Sequence, residues 1–143
     1  LVFRGLPKVS LAGVRPADIM ALSARGEIVI VEVKSCLNDF RTDQKWPEYA
    51  PYCDRFYFAV DCAFPRERLP EDVGLLVADG FGGAVIREAA PRPLSGARRK
   101  ALTLDFARLA AARLTRLRRD CGPGRSHDAG EAGEPDVGPR APA

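Results

Sequence analysis

Histidine is nearly absent from this 143-residue chain, with His127 its sole example, and the four cysteines, at 36, 53, 62 and 121, form no C-x-x-C pair. That argues against a Cys/His zinc site, and a lone imidazole near the end argues against any acid–base scheme built on a placed histidine. There is no G-x-S-x-G elbow and no glycine-rich phosphate loop ending in lysine. No apolar run approaches the roughly 18 residues of a membrane span. No basic stretch, apolar core and small-residue cleavage site precede the fold. The expectation is a cytoplasmic protein without a membrane segment; its start at Leu1 rather than Met is consistent with truncation. Three of the cysteines adjoin apolar residues and read as small buried thiols of a reducing compartment, with no function assigned. What remains for chemistry is carboxylates and lysines.

At 15.5 kDa, with 46% hydrophobic and 29% charged residues, the chain reads as one globular domain. The charge is uneven. Residues 121–143 hold Arg125 and Arg140 against Asp128, Glu131, Glu134 and Asp136, and lack Leu, Ile, Phe, Trp and Tyr altogether. Such a tail cannot bury enough surface to order itself, so the domain is expected over 1–120 and a disordered tail over 121–143. Between 98 and 119, Arg98, Arg99, Lys100, Arg108, Arg113, Arg116, Arg118 and Arg119 face Asp105 alone among acids. Two readings fit: an anionic partner such as nucleic acid, or an amphipathic helix with a solvated arginine face, seated by Leu102, Phe106, Leu109 and Leu117.

Strand patterns are expected at Lys8–Leu11, Arg15–Leu22, Glu27–Ser35, Arg55–Val60, Val73–Ala78 and Ala84–Arg87. A turn is expected over Ser23–Gly26, a glycine-rich turn over Gly80–Gly83, and a helix around Thr42–Tyr52 that Pro47 and Pro51 must break or bound. The mixture is α/β or α+β. The strand EIVIVEVKS is apolar on both faces, as a covered central strand should be, until Glu32 and Lys34 interrupt it. Alternation sends these two to one face and Val31 and Val33 to the other. If Ala24, Arg25 and Gly26 form a three-residue hairpin loop with Gly26 left-handed, Ser23 faces Glu27 and Asp18 falls opposite Glu32, about 5 Å away at Cβ.

Two adjacent carboxylates and an ammonium can be a salt-bridged cluster and nothing more. Yet the carboxylates repel, and partial burial makes their joint ionisation costly unless a cation sits between them. Hard oxygen ligands suit Mg²⁺ (or Mn²⁺), which keeps several waters and takes one or two carboxylates plus a substrate phosphate. Phosphodiester hydrolysis needs that arrangement, with Lys34 orienting the water or stabilising developing charge.

At this point the residues resemble a family. Asp18 followed by Glu32, Val33 and Lys34 resembles the PD-(D/E)xK nuclease motif, with Pro16 two residues before the Asp rather than adjacent to it. VIVEVKS, DFRTDQKWPEYAPYCDRFYFAV, GLLVAD and ARRKALTL resemble the MmcB-type bacterial DNA-repair proteins over roughly residues 1–119. The resemblance implies a restriction-endonuclease-like core, a mixed sheet flanked by helices, and a role in DNA repair. It implies a metal held by Asp18, Glu32 and the Val33 carbonyl, and Lys34 as the catalytic lysine. The superfamily core often begins with a helix; few residues precede the first expected strand, so either the chain is cut short or that helix is absent.

Asp39, Asp43, Lys45, Trp46, Tyr49 and Tyr52 form a dense polar and aromatic cluster after the catalytic strand. Lys45 and Tyr49, four apart, share a face on a helix and would reach a phosphate backbone; the competing reading packs the aromatics on the sheet and caps the helix with Asp39 or Thr42. Three functions follow. The first is a metal-dependent DNA nuclease acting in repair. The second is a noncatalytic DNA-binding or recruitment module that retains the fold, and the third a nuclease acting on RNA. DNA is the expected partner, a repair protein a further one, and oligomeric state stays open.

Overall fold

The computed structural model describes residues 3–42, 44–79 and 81–120; Asp43, Gly80 and the tail, with Cys121 and His127, lie outside the described residues. Six strands form one mixed sheet in sequence order: β1 (Phe3–Leu11), β2 (Val14–Ser23), β3 (Ile28–Lys34), β4 (Arg55–Val60), β5 (Gly74–Ala78) and β6 (Gly83–Arg87). β1–β2–β3 is an antiparallel meander, β3, β4 and β5 run parallel, and β6 turns back against β5. Helices α1 (Leu37–Thr42) and α2 (Gly96–Asp120) and a 3₁₀ helix at Trp46–Tyr52 flank it, giving an α+β fold.

The β2–β3 hairpin forms as its sequence dictates. Gly26 is left-handed at φ +78°, and the Ser23 amide donates to the Glu27 carbonyl at 3.0 Å. The Ser23 hydroxyl accepts from the Arg25 and Glu27 amides, which stiffens the loop. Ile19 then pairs with Val31 and Met20 with Ile30, the register the loop length requires.

Alternation along β3 divides the core. Ile28 and Ile30 join Met20, Phe56, Phe58 and Leu75 on the face covered by the helices, while Val29 and Val31 lie with Ala21, Tyr57, Ala59 and Ala89 on the other. Glu32 and Lys34 continue the helix-covered face at the strand's end, where both are buried, and Val33 points outward at 48% exposure. β5 packs closely enough that a Cβ on Gly74 would meet Tyr57 Cδ1 at 2.2 Å, so glycine is required there.

The end of the sheet remote from Glu32 is tied by Asp54, which is buried. Its carboxylate accepts from the Ile28 and Leu94 amides at 2.8 and 2.9 Å and from two nitrogens of Arg99 at 2.6 and 2.7 Å. One side chain thereby joins the start of β3, the linker after β6, and α2.

Several expectations need correction. β1 spans nine residues rather than Lys8–Leu11, because it is an edge strand, where Pro7 and Gly5 are tolerated. The helix expected over Thr42–Tyr52 is instead α1 followed by the 3₁₀ helix, since Pro47 and Pro51 lack the amides that an α-helical ladder needs. At three residues per turn, Trp46 and Tyr49 line up and both stack on Phe56, at 5.6 and 5.9 Å between centroids. Leu117 does not seat α2: the helix is anchored through Leu102, Phe106 and Leu109, and Leu117 is 60% exposed where the helix runs past the sheet. The reading of the cysteines as buried thiols holds for Cys53, whose thiol is pushed up to about 12 by burial, but not for Cys36 and Cys62, which are exposed just past the ends of β3 and β4.

Candidate functional site

Open sheets with parallel strands place ligand sites at the carboxyl ends of those strands. In this chain, that end of β3 carries Glu32 and Lys34, and β2 brings Asp18 alongside. A cleft of about 640 Å³ opens there, lined among others by Lys8, Arg15, Asp18, Glu32, Lys34 and Tyr49. Asp18, Glu32, Val33 and Lys34 are thus brought together, as the strand register requires.

The two carboxylates are held differently. Asp18 Oδ2 accepts from the Val33 amide at 3.0 Å, and its Oδ1 from the Lys8 ammonium. Burial pushes the Asp18 carboxyl up, but bonds with Lys8, Glu32 and the Val33 amide outweigh it and hold the group below the ordinary range. Glu32 is enclosed, and its Oε1 has no hydrogen-bond partner. Burial raises its carboxyl to about 7, with Asp18 adding to the rise and Tyr49 opposing it. Asp18 is therefore ionised while Glu32 stands near neutrality, the splitting expected of two acids sharing one site.

Tyr49 is buried in the wall. Its hydroxyl donates to the Pro16 carbonyl at 3.3 Å and lies against Glu32, and burial, with that carboxylate beside it, raises the phenol well above its usual range. Lys45 and Tyr49 do not share a face, because in a 3₁₀ helix positions three apart align and positions four apart do not. Lys45 stands at the N-cap, its carbonyl accepting from the Glu48 amide at 3.0 Å, and is not among the residues lining the cleft. Asp39, in the first turn of α1, accepts from the Ser35 amide at 3.4 Å and lines the cleft beside the pair.

Among the described residues no cluster of three or more His, Cys, Asp or Glu side chains is arranged to hold a metal ion. The available donors are the Asp18 and Glu32 carboxylates and the Val33 carbonyl. Two hard carboxylates, one of them with a buried oxygen lacking a partner, fit an Mg²⁺-like ion that keeps several waters.

Lys8 and Arg15 are the cleft residues that sequence reasoning missed. The turn at Ala12 and Gly13 gives no signal for Lys8: it pairs Leu11 with Val14, a register that would set Lys8 opposite Ala17, and a shift between Val9 and Leu11 is what leaves Lys8 bracketed against Asp18 by the pairs Pro7–Ile19 and Val9–Ala17.

No helix among the described residues is long and apolar enough to cross a membrane. No curated protein matches the chain. Among solved structures, the chain is similar to a protein of unknown function from Silicibacter pomeroyi at 40% identity, with a TM-score of 0.79 over 87% of this chain and 86% of that one. The sequence pattern described as DNA repair protein MmcB-like matches residues 1–121, a span that holds every strand, both helices and the acidic cleft. The chain therefore belongs to the MmcB-like DNA repair protein family.

Proposed function

We propose that this DNA-repair family member is a divalent-metal-dependent deoxyribonuclease of the PD-(D/E)xK type. The observation that carries the reading is the pairing of Asp18 and Glu32 with Lys34 at the end of β3, with Glu32 Oε1 buried and partnerless in the cleft wall. Asp18, Glu32 and the Val33 carbonyl would hold the ion, Mg²⁺ or Mn²⁺, whose chemistry is to polarise a phosphate and acidify a water. Asp18 is already ionised, and Glu32 gives up its proton near neutral pH. The Lys34 side chain, buried on the same face as Glu32, supplies a positive charge for the negative charge that develops in phosphodiester hydrolysis. Tyr49 fixes Glu32 from behind. The bound strand would lie across the open side of the cleft, beside Lys8 and Arg15.

The test is incubation of labelled single-stranded, duplex and branched DNA, and of RNA, with Mg²⁺, Mn²⁺ or EDTA. Cleavage of DNA that requires metal and disappears in Glu32→Gln and Lys34→Ala is the expected result. Cleavage that survives both substitutions overturns the assignment.

One observation favours a second reading, a noncatalytic DNA-binding or recruitment module. Past Arg113, α2 is exposed through residue 120 and carries Arg116, Arg118 and Arg119. Under that reading DNA binding persists in EDTA and without Lys34, and depends on those arginines.

A further inference from the structure

Lys8 has an unusual backbone. Its φ is +48°, the left-handed region that a residue with a Cβ enters only against steric opposition. Successive carbonyls of an extended strand point to opposite sides, but the Pro7 and Lys8 carbonyls both accept from Arg113, through Nη1 at 2.6 Å and Nη2 at 3.0 Å. The left-handed turn at Lys8 brings both carbonyls to one guanidinium, and that guanidinium holds the turn. Arg113 thus leaves the solvated arginine face of α2 and clamps edge strand β1 instead. The result of the clamp lies across the strand pair, where the Lys8 ammonium is bonded to Asp18 Oδ1 and also feels the charge of Glu32.

We propose that Lys8 is the built-in counter-ion of the acidic pair, held on Asp18 until a divalent cation displaces it, and that Arg113 is the positioning residue that keeps it there. The inference rests on the reading of Asp18 and Glu32 as metal ligands. Both Asp18 oxygens are engaged, one by a fixed backbone amide and one by the ammonium, so the ammonium is the partner that must yield Oδ1 to an incoming ion. Its own side chain is 73% exposed, which lets it swing into the cleft mouth without repacking the core. There a released ammonium faces the path of a phosphate backbone, so metal entry and readiness for an anionic strand are linked.

The test is Mn²⁺ titration of the whole chain, followed by the electron paramagnetic resonance of free Mn²⁺, a readout independent of cleavage. Lys8→Met and Lys8→Gly both remove the ammonium, and glycine adopts the left-handed backbone freely, so it guards against a folding artefact. Both are expected to bind Mn²⁺ at least about threefold more tightly than the unaltered chain, the scale of an exposed ion pair. Lys8→Arg should restore the original affinity, and Arg113→Met should move it part of the way. Arg15→Met, which removes another cation lining the cleft, should change affinity less than about twofold. Equal affinity in the unaltered chain and both Lys8 variants overturns the proposal and leaves the metal site standing, with Lys8 reduced to a charge guarding an edge strand. An equal gain from Arg15→Met also overturns it, since a general field would then explain the effect. If no variant binds Mn²⁺, the metal site falls and the proposal with it.

Discussion

The Val33 amide donates to Asp18 Oδ2 at 3.0 Å, so one carboxylate side chain extends the β2–β3 ladder past the Ile19–Val31 pair. Asp18 therefore has a structural task beside the metal-binding one proposed for it, and substitutions separate the two. Asp18→Asn keeps an acceptor oxygen for Val33 and should unfold within a few degrees of the unaltered chain while losing at least about tenfold in Mn²⁺ affinity. Asp18→Ala leaves that amide without its partner and should cost a further ~1–2 kcal/mol in urea unfolding. Equal metal binding by both variants and the unaltered chain would remove Asp18 from the ligand set.

Glu32 makes the metal-free protein sensitive to pH in an unusual window. Its folded carboxyl is raised to about 7 from an ordinary value near 4.5. A group raised on folding contributes stability that is full below its unfolded value and lost as pH rises through its folded one. Stability without metal should therefore fall between about pH 5 and pH 8, by up to about 3 kcal/mol. His127, the sole histidine, lies outside the described residues. Urea midpoints across this range should flatten in Glu32→Gln, and Glu32→Gln should be the more stable protein at pH 8. A pH dependence identical in both would place the titrating group elsewhere.

Asp54 works in the opposite direction and at the other end of the sheet. Burial raises its carboxyl, but Arg99 and the Ile28 and Leu94 amides together overcome that and hold it below the ordinary range. A group depressed on folding contributes stability that is present above its unfolded value, near pH 4, and lost as pH falls through its folded one. Acid unfolding should begin below pH 4 for this reason. Asp54→Asn leaves Arg99 without its charge partner in a largely enclosed site and should cost about 3 kcal/mol or more, as should Arg99→Ala. The double variant should cost less than the sum of the two, because each single change already breaks the same pair. Additive losses would show that the two side chains act independently.

The acidic pair was legible in the sequence because a glycine fixes it. Gly26 permits one loop length, the loop sets the register, and alternation along IVIVEVK does the rest. Lys8 was not legible for the converse reason: its left-handed backbone is imposed by Arg113, more than a hundred residues away in sequence, and no local pattern announces it. Pro7 and Gly5 hid the length of β1, since both read as breakers until the strand is known to lie at an edge. Pro47 and Pro51 announced a broken helix but not its pitch, and pitch decides whether Tyr49 aligns with Lys45 or with Trp46. Tyr49 packs in the wall behind Glu32 by that geometry alone.

The exposed end of α2 distinguishes arginines that hold the fold from arginines that face solvent. Arg99 and Arg113 are committed to Asp54 and to the carbonyls of β1, whereas Arg116, Arg118 and Arg119 lie on the exposed last turns, Arg116 only loosely paired with Asp120 at 3.9 Å. Replacing the last three together by alanine should leave the melting temperature within a few degrees, because none of them packs on the core. If α2 follows a duplex backbone, binding should weaken for every sequence alike, and the slope of log affinity against log salt should become shallower by about 2 to 3, close to one counter-ion per lost phosphate contact. Metal-dependent cleavage at saturating DNA should persist, since these side chains lie outside the cleft. An unchanged slope would move the DNA path off α2 and onto the cleft mouth alone, which Lys8 and Arg15 line.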